Sequence, residues 1–151
     1  MDKEIQELID QFLRILHLYS LITRRPKDYG TGDMLYFTEV HTLAMIGRQG
    51  EVNVTRLAEL MGVTKGAISQ TIRKLTAKGL ILRNQKKNKK EVFLNLTEKG
   101  ITVYRAQESF RKELVEFAGS LYRKATPEDV ELVRRLFDAI LKNMKLRINN
   151  R

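Results

Sequence analysis

The 151-residue chain contains no cysteine. That excludes disulfides, thiolate zinc sites and any sensing built on cysteine oxidation. His17 and His41 are its only histidines, and neither belongs to a cluster with metal-ligand spacing, so no metal is expected. No apolar run approaches the roughly 18–20 residues needed to cross a bilayer. The opening MDKEIQEL is not a basic-then-apolar signal peptide, which predicts a cytoplasmic protein with no membrane partner. A Gly-rich phosphate loop and a nucleophile motif are also missing. The acids Glu4, Glu7 and Asp10 fall at helical spacing and suit a solvated face better than a general acid–base pair. Neither catalysis nor a cofactor is expected.

One further absence is local. From Thr64 to Lys90 there is no Asp or Glu, while Lys65, Arg73, Lys74, Lys78, Arg83, Lys86, Lys87, Lys89 and Lys90 supply nine basic side chains. The formal charge of the whole chain is +10, so the basicity is concentrated in this stretch. A local cationic surface on a helix–turn–helix pattern is the footprint of a nucleic-acid binder.

Ile5, Leu8, Ile9, Phe12, Ile15, Leu16, Tyr19 and Ile22 recur at three- and four-residue steps, predicting a long first helix with Asp2 as its cap and Pro26 beyond its end. Leu13, Leu18 and Leu21 widen the apolar face, which calls for burial by the chain itself or, the preferred reading, by a second subunit. Residues 26–37 read as a loop with two glycines and two tyrosines. A second helix is expected from a Thr38 cap to Gly47 and Gly50, then a short edge strand at 51–53. Thr55 is the expected cap of a short helix. Met61-Gly62-Val63 makes the turn, and Thr64 caps a helix from Lys65 to about Lys78, with Gly79 as a left-handed stop. Leu80–Leu82 and Val92–Leu96 read as two strands of a hairpin with a long basic tip. Helices beginning near Thr97 and at Thr126-Pro127-Glu128-Asp129 follow.

In the helix after Thr64, the apolar Ile68, Ile72 and Leu75 share one face, with Val63 and Leu80 expected to pack beside them. Lys65, Gly66, Ser69, Gln70, Arg73 and Lys74 then face outward. A helix fits the major groove, where Gln suits adenine, Arg or Lys suits guanine and Ser suits either. Gln70, Arg73, Lys65 and Ser69 are therefore candidate base readers. Gly66 permits close approach, and Thr64 at the helix N-terminus suits a phosphate oxygen. Lys86, Lys87, Lys89 and Lys90 at the hairpin tip are placed for flanking phosphates or the minor groove. About 6–10 phosphate contacts per dimer would lower affinity by ~10³–10⁵ between about 50 and 200 mM salt.

The order of these parts resembles the MarR family of winged-helix regulators. The resemblance is carried by Val54-Thr55, Leu57-Ala58-Glu59-Leu60-Met61-Gly62-Val63-Thr64, Ile68-Ser69, Ile72, Lys74-Leu75, Lys78-Gly79-Leu80-Ile81 and Leu96-Thr97-Glu98-Lys99-Gly100. It implies a mainly α, α+β fold: a winged helix-turn-helix with long N- and C-terminal helices forming a dimerisation region. The expected parts are a dimerisation helix and loop at 1–37, the DNA-binding domain at 38–100 and C-terminal dimerisation helices at 101–151. The resemblance further implies a homodimer on a pseudo-palindromic operator in double-stranded DNA. Members are mostly repressors that leave DNA when a small, often aromatic, anionic effector binds between the dimer helices and the winged domain. Tyr19, Tyr29, Tyr36, Phe37 and His41, near the first loop, are the candidate effector residues, although aromatics there more often form core.

The wing departs from the family pattern. Where members usually carry an Asp-x-Arg-Asp type motif, this chain has Gln85-Lys86-Lys87-Asn88. Lysine is a hydrated point charge and a poorer minor-groove probe than arginine, so wing contacts should be electrostatic rather than selective. That lysine wing supports the competing reading, a low-specificity structural DNA-binding protein. A protein–protein winged-helix module is a more remote third.

Overall fold

The periodic apolar residues near the N-terminus form α1 (Asp2–Thr23), which stops ahead of Arg24-Arg25-Pro26 because proline disfavours helical backbone in the residue before it. The computed structural model describes residues 2–85 and 91–149. Asp2, the expected cap, lies inside the first turn, where a carboxylate still suits the helix dipole. No α1 residue is fully buried, and Ile5, Leu8, Ile9, Leu13 and Leu18 are all exposed.

The expected loop at 26–37 contains a small hairpin, β1 (Lys27–Asp28) paired antiparallel with β2 (Met34–Leu35). Asp28 organises it. Its Oδ1 accepts the backbone N–H groups of Gly30, Thr31 and Gly32 at 2.9–3.0 Å, bonds that lower the carboxyl pKa, the Thr31 bond most. Strands of two residues are too short for hydrophobic alternation to reveal.

α2 (Phe37–Gln49) begins earlier than the expected Thr38 cap. Glu39 reaches back to the Tyr36 N–H at 2.9 Å, so a third-position carboxylate does the capping. Gly47, expected to end this helix, lies inside it. A Cβ there would meet the Tyr104 ring at 2.7 Å, so this glycine serves close packing. After β3 (Val52–Asn53) comes α3 (Val54–Met61), capped by Asn53 rather than Thr55: the Asn53 side chain accepts the Arg56 N–H at 2.8 Å. Strand and helix adjoin without a spacer, which concealed the cap.

α4 (Lys65–Ala77) runs from the expected Thr64 cap to Lys78. Gly79, at φ +68°, then reverses the chain: its N–H donates to Thr76 O at 2.9 Å and that of Leu80 to Leu75 O at 2.9 Å. β4 (Ile81–Gln85) and β5 (Val92–Leu96) pair antiparallel, and β5 is the middle strand of the order β3-β5-β4. α5 (Glu98–Tyr122) follows. Thr97 holds its start to the end of α4, donating through Oγ1 to Gly79 O at 2.7 Å and accepting the Gly100 N–H at 3.0 Å.

One core unites these elements. Val40, Leu43 and Ile46 of α2 meet Leu57, Ile68, Ile72, Leu75, Ile81, Leu94 and Val103, all essentially solvent-free. They belong to a compact unit spanning Met1–Gln107. A second unit, Glu108–Arg151, holds the rest of α5 and α6 (Pro127–Asn149). Thr126 and Asp129 form a reciprocal capping box at the start of α6, with bonds of 2.9 and 3.2 Å. Leu136, Phe137 and Leu141 on α6 are more than half exposed.

Gly100 gives a test of the α4–α5 junction, since a Cβ there would collide with the Leu80 carbonyl oxygen. Gly100→Ala is expected to destabilise the protein by about 1–3 kcal/mol in thermal denaturation. Gly119→Ala, whose Cβ would make only an ordinary contact with the Arg123 side chain, should be neutral or stabilising.

Candidate nucleic-acid interface

The Thr64 hydroxyl accepts the Ala67 N–H at 3.2 Å and fixes the start of α4. Ile68, Ile72 and Leu75 are buried beneath the helix, anchoring it to the core. Val63, expected to pack with them, is 39% exposed, because it follows the Gly62 turn and precedes the helix. Lys65, Gly66, Gln70, Arg73 and Lys74 are exposed, as predicted, and Ser69 is half-buried.

The structure divides this outward row. Gly66 and Gln70 lie on the crest opposite the buried stripe, at about 100° per residue. Ser69 and Arg73 turn to one flank and line a hollow of about 170 Å³ together with Val54, Ile72 and Arg83. Thr71 and Lys74 turn to the other flank. There they line a hollow of about 270 Å³ with Thr23 and Arg24 at the end of α1, and with Tyr36, Phe37, Thr38 and Glu39 at the start of α2. Lys86, Lys87, Lys89 and Lys90 lie outside the described residues.

The predicted effector residues are partly brought together. Tyr36 and Phe37 line the larger hollow. Tyr19 meets Phe37 edge to face at 5.3 Å, and His41 stacks on Phe37 at 5.6 Å, so both support the wall from behind. Burial, then the nearby Arg48 charge, lowers the His41 pKa. Tyr29 packs against the core. Burial raises the pKa of Tyr19, helped by Tyr29, and burial raises that of Tyr29 itself. Sequence reasoning did not single out Arg24, two residues ahead of Pro26, and counted Arg83 only as part of the basic stretch, although its two-residue spacing from the buried Ile81 was a signal.

It also missed the tie at the end of α4. Lys78 Nζ pairs with the buried Glu39 at 2.7 Å and donates to Met34 O at 3.1 Å. Lys99 Nζ donates to Lys78 O at 3.1 Å and pairs with Asp33 at 2.7 Å. Four segments, the β1–β2 hairpin, α2, α4 and α5, are thereby joined at one point. Lys78 and Met34 are 44 residues apart and Lys99 and Asp33 further still, beyond any local pattern.

The MarR family model matches residues 35–92, the span from β2 into β5 that carries α4 and both of its flanks. That segment is a MarR-family winged helix. The chain is 32% identical over 111 residues to the HTH-type transcriptional regulator YhjH of Bacillus subtilis, a match covering 73% of this chain and 63% of YhjH. The chain thus spans just under two thirds of that relative's length. Among solved structures, Lactococcus lactis ZitR in complex with DNA superposes with a TM-score of 0.70 at 21% identity, covering 92% of this chain and 97% of ZitR. The Streptococcus pyogenes adhesin competence repressor AdcR superposes with a TM-score of 0.74 at 15% identity, covering 93% and 97%. At those identities the likeness establishes a shared winged-helix fold. ZitR is a zinc-responsive member. Among the described residues of this chain, no group of three or more His, Cys, Asp or Glu is placed to hold a metal.

The Lys78 tie generates a stability prediction. Lys78→Ala leaves the Glu39 carboxylate buried without its cation, an expected loss of about 3 kcal/mol. The double variant Glu39→Gln/Lys78→Met should lose less than Lys78→Ala alone in urea denaturation, because no buried charge is left unpaired.

Proposed function

We propose that this chain is a MarR-family, sequence-specific DNA-binding transcriptional regulator, a repressor released from its operator by a small molecule. The supporting observation is α4: a capped helix held by a buried stripe, with an outward face of cations, amide, hydroxyl and glycine and no acid. Such a helix presents its N-terminal residues to base edges and its terminus to phosphate. Gln70 and Lys65 are assigned to bases, Gly66 to close backbone approach and Thr64 to a phosphate. Lys86, Lys87, Lys89 and Lys90 add sequence-independent attraction.

The exposed apolar residues of α1 and α6 support a homodimer, since isolated helices this greasy need a covering surface. Two copies would set their α4 helices in successive major grooves about 34 Å apart, on a pseudo-palindromic site. The protein would act in the cytoplasm, on the chromosome. The larger hollow supports a small aromatic anion as effector. It combines the Tyr36 and Phe37 rings with Arg24 and Lys74, and at about 270 Å³ it suits a one-ring ligand. Because Thr71 and Lys74 belong to α4, an occupant would touch the reading helix directly.

Selection from a random duplex pool tests the regulator reading. The expected outcome is a two-fold symmetric site bound at least ~10³-fold more tightly than random DNA at physiological salt. Gln70→Ala should then lose about 1–3 kcal/mol and relax preference at one base pair of each half-site. Uniform binding to all duplexes would instead establish the low-specificity structural role, which the lysine stretch at 86–90 favours.

A further inference from the structure

We propose that Ser69, Arg73 and Arg83 form a notch that clamps one DNA phosphodiester beside the reading helix. The inference rests on the DNA-binding reading and assigns Arg73 and Arg83 a role that reading does not require.

The strand register supplies the first observation. Ile81 pairs with Leu96 and Arg83 with Leu94, so Arg83 stands on the same face of β4 as the buried Ile81, opposite the solvent-free Leu94. Leu82, on the other face, is 52% exposed. An arginine therefore occupies the face where alternation would place an apolar residue, with its side chain still exposed to solvent. It points along the sheet surface that meets α3 and α4 rather than away from it.

A second arginine lines the same recess. Arg73 and Arg83 border the same hollow, with Val54 and Ile72 as apolar walls and the half-buried Ser69 as a hydroxyl donor. No acid lines the hollow, and neither arginine is paired with an acid among the described residues. Two guanidinium groups gathered at one recess without a counter-charge repel each other, and an anion between them reverses the sign of that interaction. Guanidinium forks match phosphate oxygens bidentately, and the hydroxyl adds a third donor. Val54, the first residue of α3, brings the positive end of that helix to the same recess.

The clamp changes the division of labour on α4. Arg73, expected from the sequence to read guanine, becomes a positioning contact, and base reading falls to Gln70 on the crest and to Lys65 in the first turn. A phosphate held on this flank fixes the depth and rotation of α4 in the groove.

The test uses the full chain and a duplex obtained by selection, with affinity measured for that duplex and for every single-base variant of it. Arg83→Gln and Arg73→Gln should each weaken all of these duplexes by one common factor, about ten- to hundredfold. The double variant should lose less than the product of the two, because both side chains hold one phosphate. A scan of single methylphosphonate substitutions should find one neutral linkage per half-site that weakens the wild type but leaves Arg83→Gln almost unaffected. Arg83→Gln binding as tightly as the wild type, or Arg73→Gln relaxing preference at one base pair, would overturn the clamp while leaving sequence-specific regulation intact. If the wild type itself shows no sequence preference, the regulator reading fails, and the same variants on random duplex still decide the clamp. Millimolar inorganic phosphate should leave the melting temperature of the free protein unchanged. A stabilisation that disappears in Arg83→Gln would reassign the notch to free phosphate.

Discussion

Lys78 ends the reading helix and ties that end to three other segments at once. Its ammonium lies 2.7 Å from a Glu39 carboxylate that is itself buried and bonded to the Tyr36 N–H. Its carbonyl accepts from Lys99, which in turn holds Asp33. Glu39 and Tyr36 also line the larger hollow. The tie at the end of α4 is therefore continuous with the wall of the candidate effector site. A buried ion pair contributes little net stability over an apolar replacement, but breaking one half of it is strongly unfavourable. Its use here is to fix one angle between α2 and α4.

That helix has a hollow on each flank and an exposed crest. On one side, Ser69 and Arg73 meet Arg83 across a recess without acids. On the other, Thr71 and Lys74 face Arg24, Tyr36 and Phe37. Gly66 and Gln70 lie between, exposed and able to enter a groove. DNA on one flank and an effector on the other would compete through a single rigid element, with no separate relay needed. Lys74, expected in the DNA-facing row, also lines the wall of the proposed effector site.

Much of this was legible in the sequence. The buried stripe of Ile68, Ile72 and Leu75, the Thr64 cap and the Gly79 reversal are local features, and local spacing reveals them. The Thr126–Asp129 capping box was equally plain. Helix starts were misplaced where the capping side chain was not the nearest threonine. Asn53 at a strand end displaced Thr55, and Glu39 acting backwards displaced Thr38. The β1–β2 hairpin was hidden because one aspartate, not a strand pattern, creates it. Arg83 and Lys78 escaped for a different reason: their roles depend on partners brought close only by the tertiary fold.

The central claim is that α4 carries the DNA contact. Amide chemical-shift mapping of the isotopically labelled protein, titrated with a selected duplex, tests it most directly. The account predicts that the largest changes fall on Thr64, Lys65, Gly66, Ser69, Gln70 and Arg73, with a second group at Arg83. Strong changes elsewhere in the chain with α4 unmoved would contradict it.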